Sequence, residues 1–159
     1  MQNPIGFPNP VNEKAARVVA GGVVVLALTA IAFEIEWLLP LIALGFLARV
    51  LTGPTLSPLG QFATRVAAPR LGDPKHVPGP PKRFAQAMGL TMSTAAVLLY
   101  FAFDAHSAAW AVTGVLAAAA TLESVFALCL GCQVFAVLMR VGLVPEATCE
   151  ACANIWARA

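Results

Sequence analysis

Four cysteines lie near the carboxyl end of this sequence, in two pairs of equal spacing. Cys129 and Cys132 form one Cys-x-x-Cys pair, and Cys149 and Cys152 form the other. This is the spacing of thiol–disulfide exchange sites, in which a thiol of lowered pKa makes the attack. Buried cysteines can also be small apolar side chains without chemistry. The repeat of the spacing favours thiol or sulfur chemistry over that interpretation.

The same four cysteines also fit a metal site. Sixteen residues separate Cys132 from Cys149, which is within the range of four-thiolate zinc motifs. If both pairs lie on one side of a membrane, Cys129, Cys132, Cys149 and Cys152 could close a tetrahedral site. Zinc therefore stays open as an alternative.

Glu123 is an ionisable residue in the apolar run that leads to the first pair. Intramembrane carboxylates are costly and are candidates for function. Glu123 either accepts protons from the thiols or pairs with a polar side chain of another helix, such as Thr91, Ser93, Thr94 or an arginine. On one unbroken helix it would lie about 9 Å along the axis from Cys129, on a different face.

The elements that position these residues are predicted to be membrane helices. The chain is 59% hydrophobic and 11% charged, whereas soluble domains carry about 25% charged residues. A transmembrane helix needs about 20 apolar residues. The candidate spans are residues 15–33, 36–51, 84–103 and 108–130. The sequence thus predicts one membrane domain over residues 1–159, an all-α bundle of four transmembrane helices with the lipid bilayer as its surroundings.

Basic residues predict the orientation of this bundle. All ten lysines and arginines lie at the start of the first span, from the end of the second span to the start of the third, or after the fourth span. Cytoplasmic loops attract such residues, so both termini are expected in the cytoplasm. The N-terminal segment lacks the basic start of a signal peptide, and we expect it to remain as the first span. Thiols in the cytoplasm are normally kept reduced.

The central loop is expected to contain an interfacial helix over residues 57–69. Ser57 and Pro58 have the residue types of an N-cap and a first helical position. Leu59, Phe62 and Val66 would share one face of this helix, which suits the surface of the inner leaflet.

The fourth apolar run is too long for one upright span. We expect a bend at Gly131, so that the first cysteine pair ends the helix at the inner interface and residues 133–158 form a cytoplasmic or interfacial tail with a short helix. At a helix end the pair lacks help from the helix dipole. A basic residue such as Arg49 or Arg83 would then have to lower the thiol pKa.

Two segments resemble a known family, "PKRFAQAMG" and "LESVFALCLGC". The family comprises small bacterial four-helix membrane proteins catalogued as domain of unknown function 4395, and the resemblance covers most of residues 10–135. Its pattern of Glu, Cys, Gly and Cys is matched by Glu123, Cys129, Gly131 and Cys132. The resemblance implies association with thioredoxin-like and rhodanese-like proteins, and so thiol or sulfur traffic. The tail pair looks like an extension found in some members.

The architecture is also similar to that of four-helix quinone-linked thiol oxidoreductases, although their partner-facing cysteines lie on the opposite side of the membrane. This similarity makes a quinone one cofactor to consider, with zinc as the other. If a quinone takes the electrons, the protein is an enzyme; if sulfur moves onward, it is a carrier.

The leading prediction is an inner-membrane thiol/disulfide or persulfide relay. A cytoplasmic thioredoxin-like or rhodanese-like partner would exchange with the tail pair, which would pass electrons or sulfane sulfur to Cys129 and Cys132, with Glu123 assisting proton movement. One alternative is a zinc-stapled membrane scaffold that recruits a soluble partner. The other is an assembly subunit with inert cysteines. Nucleic acid is not an expected partner.

Overall fold

The computed structural model describes residues 7–148. Its helices are α1 (Glu13–Phe33), α2 (Leu38–Thr52), α3 (Pro58–Phe62), α4 (Ala68–Arg70), α5 (Gly79–Phe101), α6 (His106–Phe126) and α7 (Leu130–Arg140). A π-helical turn (Ala63–Ala67) joins α3 to α4, and a 3-10 turn (Glu146–Thr148) follows α7. Two short antiparallel strands are β1 (Val11–Asn12) and β2 (His76–Val77).

Three of the described helices, α1, α5 and α6, are long and apolar enough to cross a membrane. This finding confirms a helical membrane protein. Helix α2 is apolar as well, but its 15 residues give a length of only about 22 Å. The hydrocarbon core of a bilayer is about 30 Å thick.

The two strands bring the starts of α1 and α5 together. The Glu13 N–H donates to the Lys75 carbonyl at 2.8 Å, directly beside the β1–β2 pairing. The far ends of these helices also meet, because the Tyr100 hydroxyl is 3.0 Å from the Glu36 carboxylate. Helices α1 and α5 therefore run in the same direction. The stacking of His106 on Tyr100 starts α6 at the far end, so α6 runs back toward the start of α1.

We call the end where α1 and α5 begin and α6 finishes the thiol end. Helix α2 starts at the opposite end, next to Glu36, and its C-terminal Arg49 contacts Gln86 of α5 near the thiol end. Helix α2 thus returns along the bundle between α1 and α5.

Small residues let the helices of the bundle approach closely. Ala27 and Ala30 of α1 are fully buried, as expected where membrane helices pack through small side chains. Gly89 of α5 leaves room for the ring of Phe46, which would collide with a Cβ at that position. Large apolar side chains cover the outside of the bundle instead, among them Val25, Leu28, Leu41, Leu44, Leu98 and Val115.

The predicted helix of the central loop is confirmed. The Ser57 hydroxyl accepts from the Gly60 N–H at 3.2 Å, and Pro58 opens α3. The helical run continues to Arg70. Phe62 and Val66 lie on its exposed side, whereas Leu59 packs against α1, so the three apolar residues do not all share one environment.

The fourth predicted span ends earlier than expected. Helix α6 stops at Phe126, where Ala127 adopts a left-handed conformation (φ 57°), and α7 begins at Leu130. The predicted bend at Gly131 is wrong, because the chain turns before that residue. Gly131 instead lies against α5, since a Cβ there would be 2.5 Å from the Ala85 Cα.

Arg17 of α1 stabilises the end of α6. Its guanidinium donates to the carbonyls of Ser124 and Val125, both at 3.0 Å. These carbonyls belong to the last turn of α6, whose backbone acceptors have no partner within the helix. A side chain from a neighbouring helix thus supports the break that leads into the cysteine pair.

Candidate dithiol site

Cys129 and Cys132 lie at the start of a helix. Cys129 is the N-cap of α7, with an extended backbone (φ −86°, ψ 104°), and Cys132 lies in the first turn. The prediction that the pair ends a helix is therefore wrong, because the α6 break precedes the motif. The positive end of the α7 dipole lies beside the thiols, and this position favours a thiolate.

The two thiols differ in burial and in acidity. Both are free; Cys129 is buried and Cys132 is half-buried. A hydrogen bond from the Cys132 thiol lowers the pKa of Cys129, despite the opposing effect of burial. The same hydrogen bond, together with burial, raises the pKa of Cys132. Of the two thiols, Cys129 is therefore the one more readily present as a thiolate.

Glu123 forms an ion pair with Lys82 across the thiol end. The Lys82 Nζ is 2.6 Å from the Glu123 Oε1, and the two side chains are 9% and 14% exposed. Glu123 thus has a structural partner on another helix, as one interpretation predicted, but this partner is a lysine of α5 and not Thr91, Ser93, Thr94 or an arginine.

Lys82 is also the basic residue that acts on the thiols. Its charge lowers the pKa of Cys129, whereas the charge of Glu123 raises it. Arg83, one of the two arginines expected in this role, instead donates to the Val50 carbonyl at 3.2 Å on an exposed surface. The sequence did not single out Lys82. It lies next to Arg83 in a cluster of basic residues, and such a cluster predicts only which side of the membrane a loop faces. In the structure Lys82 lies in the first turn of α5, and its side chain points into the bundle toward Glu123.

Arg49, the other arginine expected in this role, is a second buried cation near the site. Its guanidinium donates to the Gln86 side chain at 2.9 Å and to the Ser57 hydroxyl at 3.2 Å, and it lies 4.6 Å from the centre of the Phe46 ring. Arg49, like Lys82, is buried. With Glu123 as the neighbouring carboxylate, the charges of these groups sum to positive, which favours an anion such as a thiolate nearby.

Two cavities meet at Cys129. The first, which we call the thiol cavity, has a volume of about 800 Å³ and is lined by both cysteines, Lys82 and Gln133, among others. The second, which we call the apolar cavity, has a volume of about 250 Å³ and lies between α1, α2, α5 and α6, beside the start of α7. Of the described residues, only Cys129 lines both.

Cys149 and Cys152 lie outside the described residues. The exchange between the two pairs and the four-thiolate zinc site therefore remain predictions. Within residues 7–148, no three or more His, Cys, Asp and Glu side chains come together in a way that could hold a metal ion.

The fold and the site define a helical membrane protein that carries a dithiol at a helix N-terminus, beside a buried Lys–Glu pair. The chain belongs to the family described as a domain of unknown function (DUF4395), whose model matches residues 11–140. The matched range contains Glu123, Cys129 and Cys132, and the resemblance seen in the sequence is confirmed. Searches of curated proteins and of solved structures found no match.

Proposed function

We propose that this protein is a membrane thiol/disulfide or persulfide relay whose reactive group is the Cys129 thiolate. The observation that carries the proposal is the position of Cys129. It caps the start of α7, lies under the influence of Lys82, and receives a hydrogen bond from the thiol that would resolve its mixed disulfide. Each of these features stabilises the thiolate, which is the form that attacks.

The exchange step uses both cysteines in order. The Cys129 thiolate attacks one sulfur of a partner disulfide, and the second partner sulfur leaves as a thiolate. The Cys132 sulfur, giving its proton to that thiolate, then attacks the Cys129 sulfur. The bond between Cys129 and the partner sulfur breaks, and this sulfur leaves as a thiolate that takes a proton from water. The partner is thus released as a dithiol, and Cys129 and Cys132 are joined by a disulfide. Run in reverse, the same steps oxidise a partner dithiol.

The persulfide step needs the same nucleophile. The Cys129 thiolate attacks the outer sulfur of a persulfide on a rhodanese-like partner, and the partner cysteine leaves as a thiolate. Cys129 then carries the sulfane sulfur. The thiol cavity, which opens beside Lys82 and Gln133, provides the access that either partner requires.

The distribution of charged residues supports one orientation of the bundle in the membrane. We place the thiol end in the cytoplasm of a bacterial inner membrane, because basic residues concentrate at that end and Glu34, Glu36 and Asp104 at the other. We also propose that α2 is the fourth span. This proposal is supported by the common direction of α1 and α5. If two successive spans run in the same direction, the chain must cross the membrane once between them.

The tail pair would serve as the contact with a thioredoxin-like or rhodanese-like partner. Thr148, the last described residue, lines a cavity with Gly79 and Phe135 at the thiol end. Cys149 is the next residue in the sequence. This position supports a short path from the tail pair to Cys129 and Cys132.

The experiment measures the intact mass of the detergent-purified protein after exposure to glutathione disulfide or glutathione persulfide. We expect wild type to gain a reductant-sensitive disulfide or an added sulfur. The variant Cys149→Ser/Cys152→Ser should still react at the first pair and serves as the background for the other changes. In that background, Cys129→Ser should abolish both products, and Cys132→Ser should accumulate a mixed disulfide. Four unreactive thiols, or stoichiometric zinc that leaves only on denaturation, would contradict the relay; retained zinc would select the metal-stapled scaffold instead.

A further inference from the structure

The apolar cavity lies within the part of the bundle that faces lipid. Its walls come from α1, α2, α5, α6 and the start of α7, and they are mostly apolar. They include Val19, Phe46, Met88, Met92 and Val115. Val115 is 60% exposed on the outside of the bundle. The cavity is therefore next to the surface that a lipid-dissolved molecule would meet.

Polar groups are few in this cavity, and two of them belong to the dithiol site. Glu123 and Cys129 both line it, and Gln86 is a third polar lining residue. Cys132 lines the thiol cavity instead. One sulfur atom of the pair is thus accessible from the membrane side, while the pair as a whole is accessible from the thiol end.

These walls restrict what the cavity can hold. A charged occupant would lose its hydration without gaining a partner, because the ion pair of Glu123 with Lys82 is already formed. A flat apolar ring would gain contacts with the Phe46 ring and with the thioethers of Met88 and Met92. If this occupant reacts with Cys129, it must also accept two electrons and two protons from a dithiol.

We propose that the apolar cavity binds the ring of a quinone dissolved in the bilayer, and that this quinone accepts the electrons of Cys129 and Cys132. The inference rests on the proposed relay function and names its electron acceptor. The thiol cavity then serves the soluble partner and the apolar cavity the membrane acceptor, with Cys129 common to both.

The chemistry balances as a two-electron oxidation. The Cys129 thiolate bonds to a ring carbon, and one ring oxygen takes a proton. The Cys132 sulfur, losing its proton, then bonds to the Cys129 sulfur. The carbon–sulfur bond breaks with its electron pair left on the ring, and the second ring oxygen is protonated. The products are a Cys129–Cys132 disulfide and a quinol, and Glu123 is positioned in the cavity to pass protons.

The test uses reduced full-length protein carrying Cys149→Ser and Cys152→Ser, in phosphatidylcholine nanodiscs, with a benzoquinone bearing a decyl tail. Quinol absorbance and intact mass report the reaction. Ala119 lines the cavity and its neighbour Ala118 faces outward. We expect Ala119→Leu to slow quinone reduction at least tenfold and Ala118→Leu to leave it unchanged, while both react normally with glutathione disulfide.

The outcomes separate this inference from the function on which it rests. Oxidation by glutathione disulfide without any oxidation by the quinone would overturn the quinone inference and leave the relay intact. If neither reagent oxidises the pair, the relay itself fails. Quinone reduction at the wild-type rate in Ala119→Leu would show that the quinone does not bind in the apolar cavity and would overturn the inference.

A second measurement does not depend on the folding of a variant. Wild-type protein is irradiated with an azido-quinone and digested, and the labelled residues are mapped by mass spectrometry. We expect labels on cavity residues such as Met92 and the buried Val23. Labels confined to outward-facing positions, such as Leu28 and Leu44, would contradict the inference.

Discussion

At Cys129, burial and local charge act on the thiol in opposite directions. Burial disfavours the thiolate, whereas the Cys132 hydrogen bond and the Lys82 charge favour it, and the pKa is lowered on balance. A lowered pKa means that thiolate persists as the pH falls below the ordinary thiol value of about 8.5. The alkylation rate of Cys129 should therefore decline only at a pH below that value.

Removing Cys132 should shift this pH profile more than any other single change at the site. Because its hydrogen bond is the largest cause of the lowered pKa, Cys132→Ala should raise the midpoint of the Cys129 alkylation rate. Iodoacetamide labelling between about pH 5 and 10, in protein carrying Cys149→Ser and Cys152→Ser, measures the effect. An unchanged midpoint would show that the two sulfurs do not interact.

The ion pair of Lys82 and Glu123 should affect both reactivity and stability. Lys82→Met should raise the alkylation midpoint of Cys129 and Glu123→Gln should lower it, because their charges have opposite effects on this pKa. Each of these substitutions leaves one buried charge without its partner and should lower the free energy of unfolding by about 3–5 kcal/mol.

The double variant Lys82→Met/Glu123→Gln is the control for the ion pair. It removes both buried charges and should be more stable than Lys82→Met alone. Denaturant unfolding in detergent provides the comparison. A double variant that is destabilised by the sum of the two single losses would contradict direct pairing of these residues.

Among the elements, the packing of α7 against α5 decides where the dithiol lies. Gly131 approaches the Ala85 backbone so closely that a methyl group would have to displace one helix. We expect Gly131→Ala to lower thermal stability and to slow glutathione-disulfide exchange at Cys129.

Gly114 of α6 offers a matched control for this substitution. A Cβ at Gly114 would meet no atom of the described chain within 4 Å. Gly114→Ala should therefore preserve exchange and stabilise the helix by about 0.5–1 kcal/mol. Equal effects of the two alanine substitutions on the melting temperature would contradict the contact of α7 with α5.

For the whole molecule, the concentration of basic residues at the thiol end determines the expected orientation. In a cysteine-free variant, Ser107→Cys should react with a membrane-impermeant maleimide added to intact spheroplasts. Lys75→Cys, which lies beside β2 at the thiol end, should react only after permeabilisation. The reverse pattern would place the dithiol outside the cytoplasm and would exclude a cytoplasmic partner.

The sequence by itself determined the features that depend on composition and short-range pattern. The lengths of the apolar segments predicted the membrane helices. Polar groups are costly in the bilayer core, and whether a segment is apolar enough to cross it depends on the residues of that segment alone. Ser57 and Pro58 predicted a helix start because an N-cap involves neighbouring residues only. The thiol spacing and the intramembrane carboxylate were equally visible in the sequence.

Only the tertiary structure decided where the fourth apolar run breaks and what Glu123 contacts. Ala127 carries no local turn signal, and a left-handed alanine costs about 1–2 kcal/mol. Arg17 of α1 and Ala85 of α5 provide the contacts that support this conformation. Glu123 pairs with Lys82, 41 residues away in the chain. Interactions between distant helices depend on their packing, so no local pattern could predict that the dithiol begins a helix.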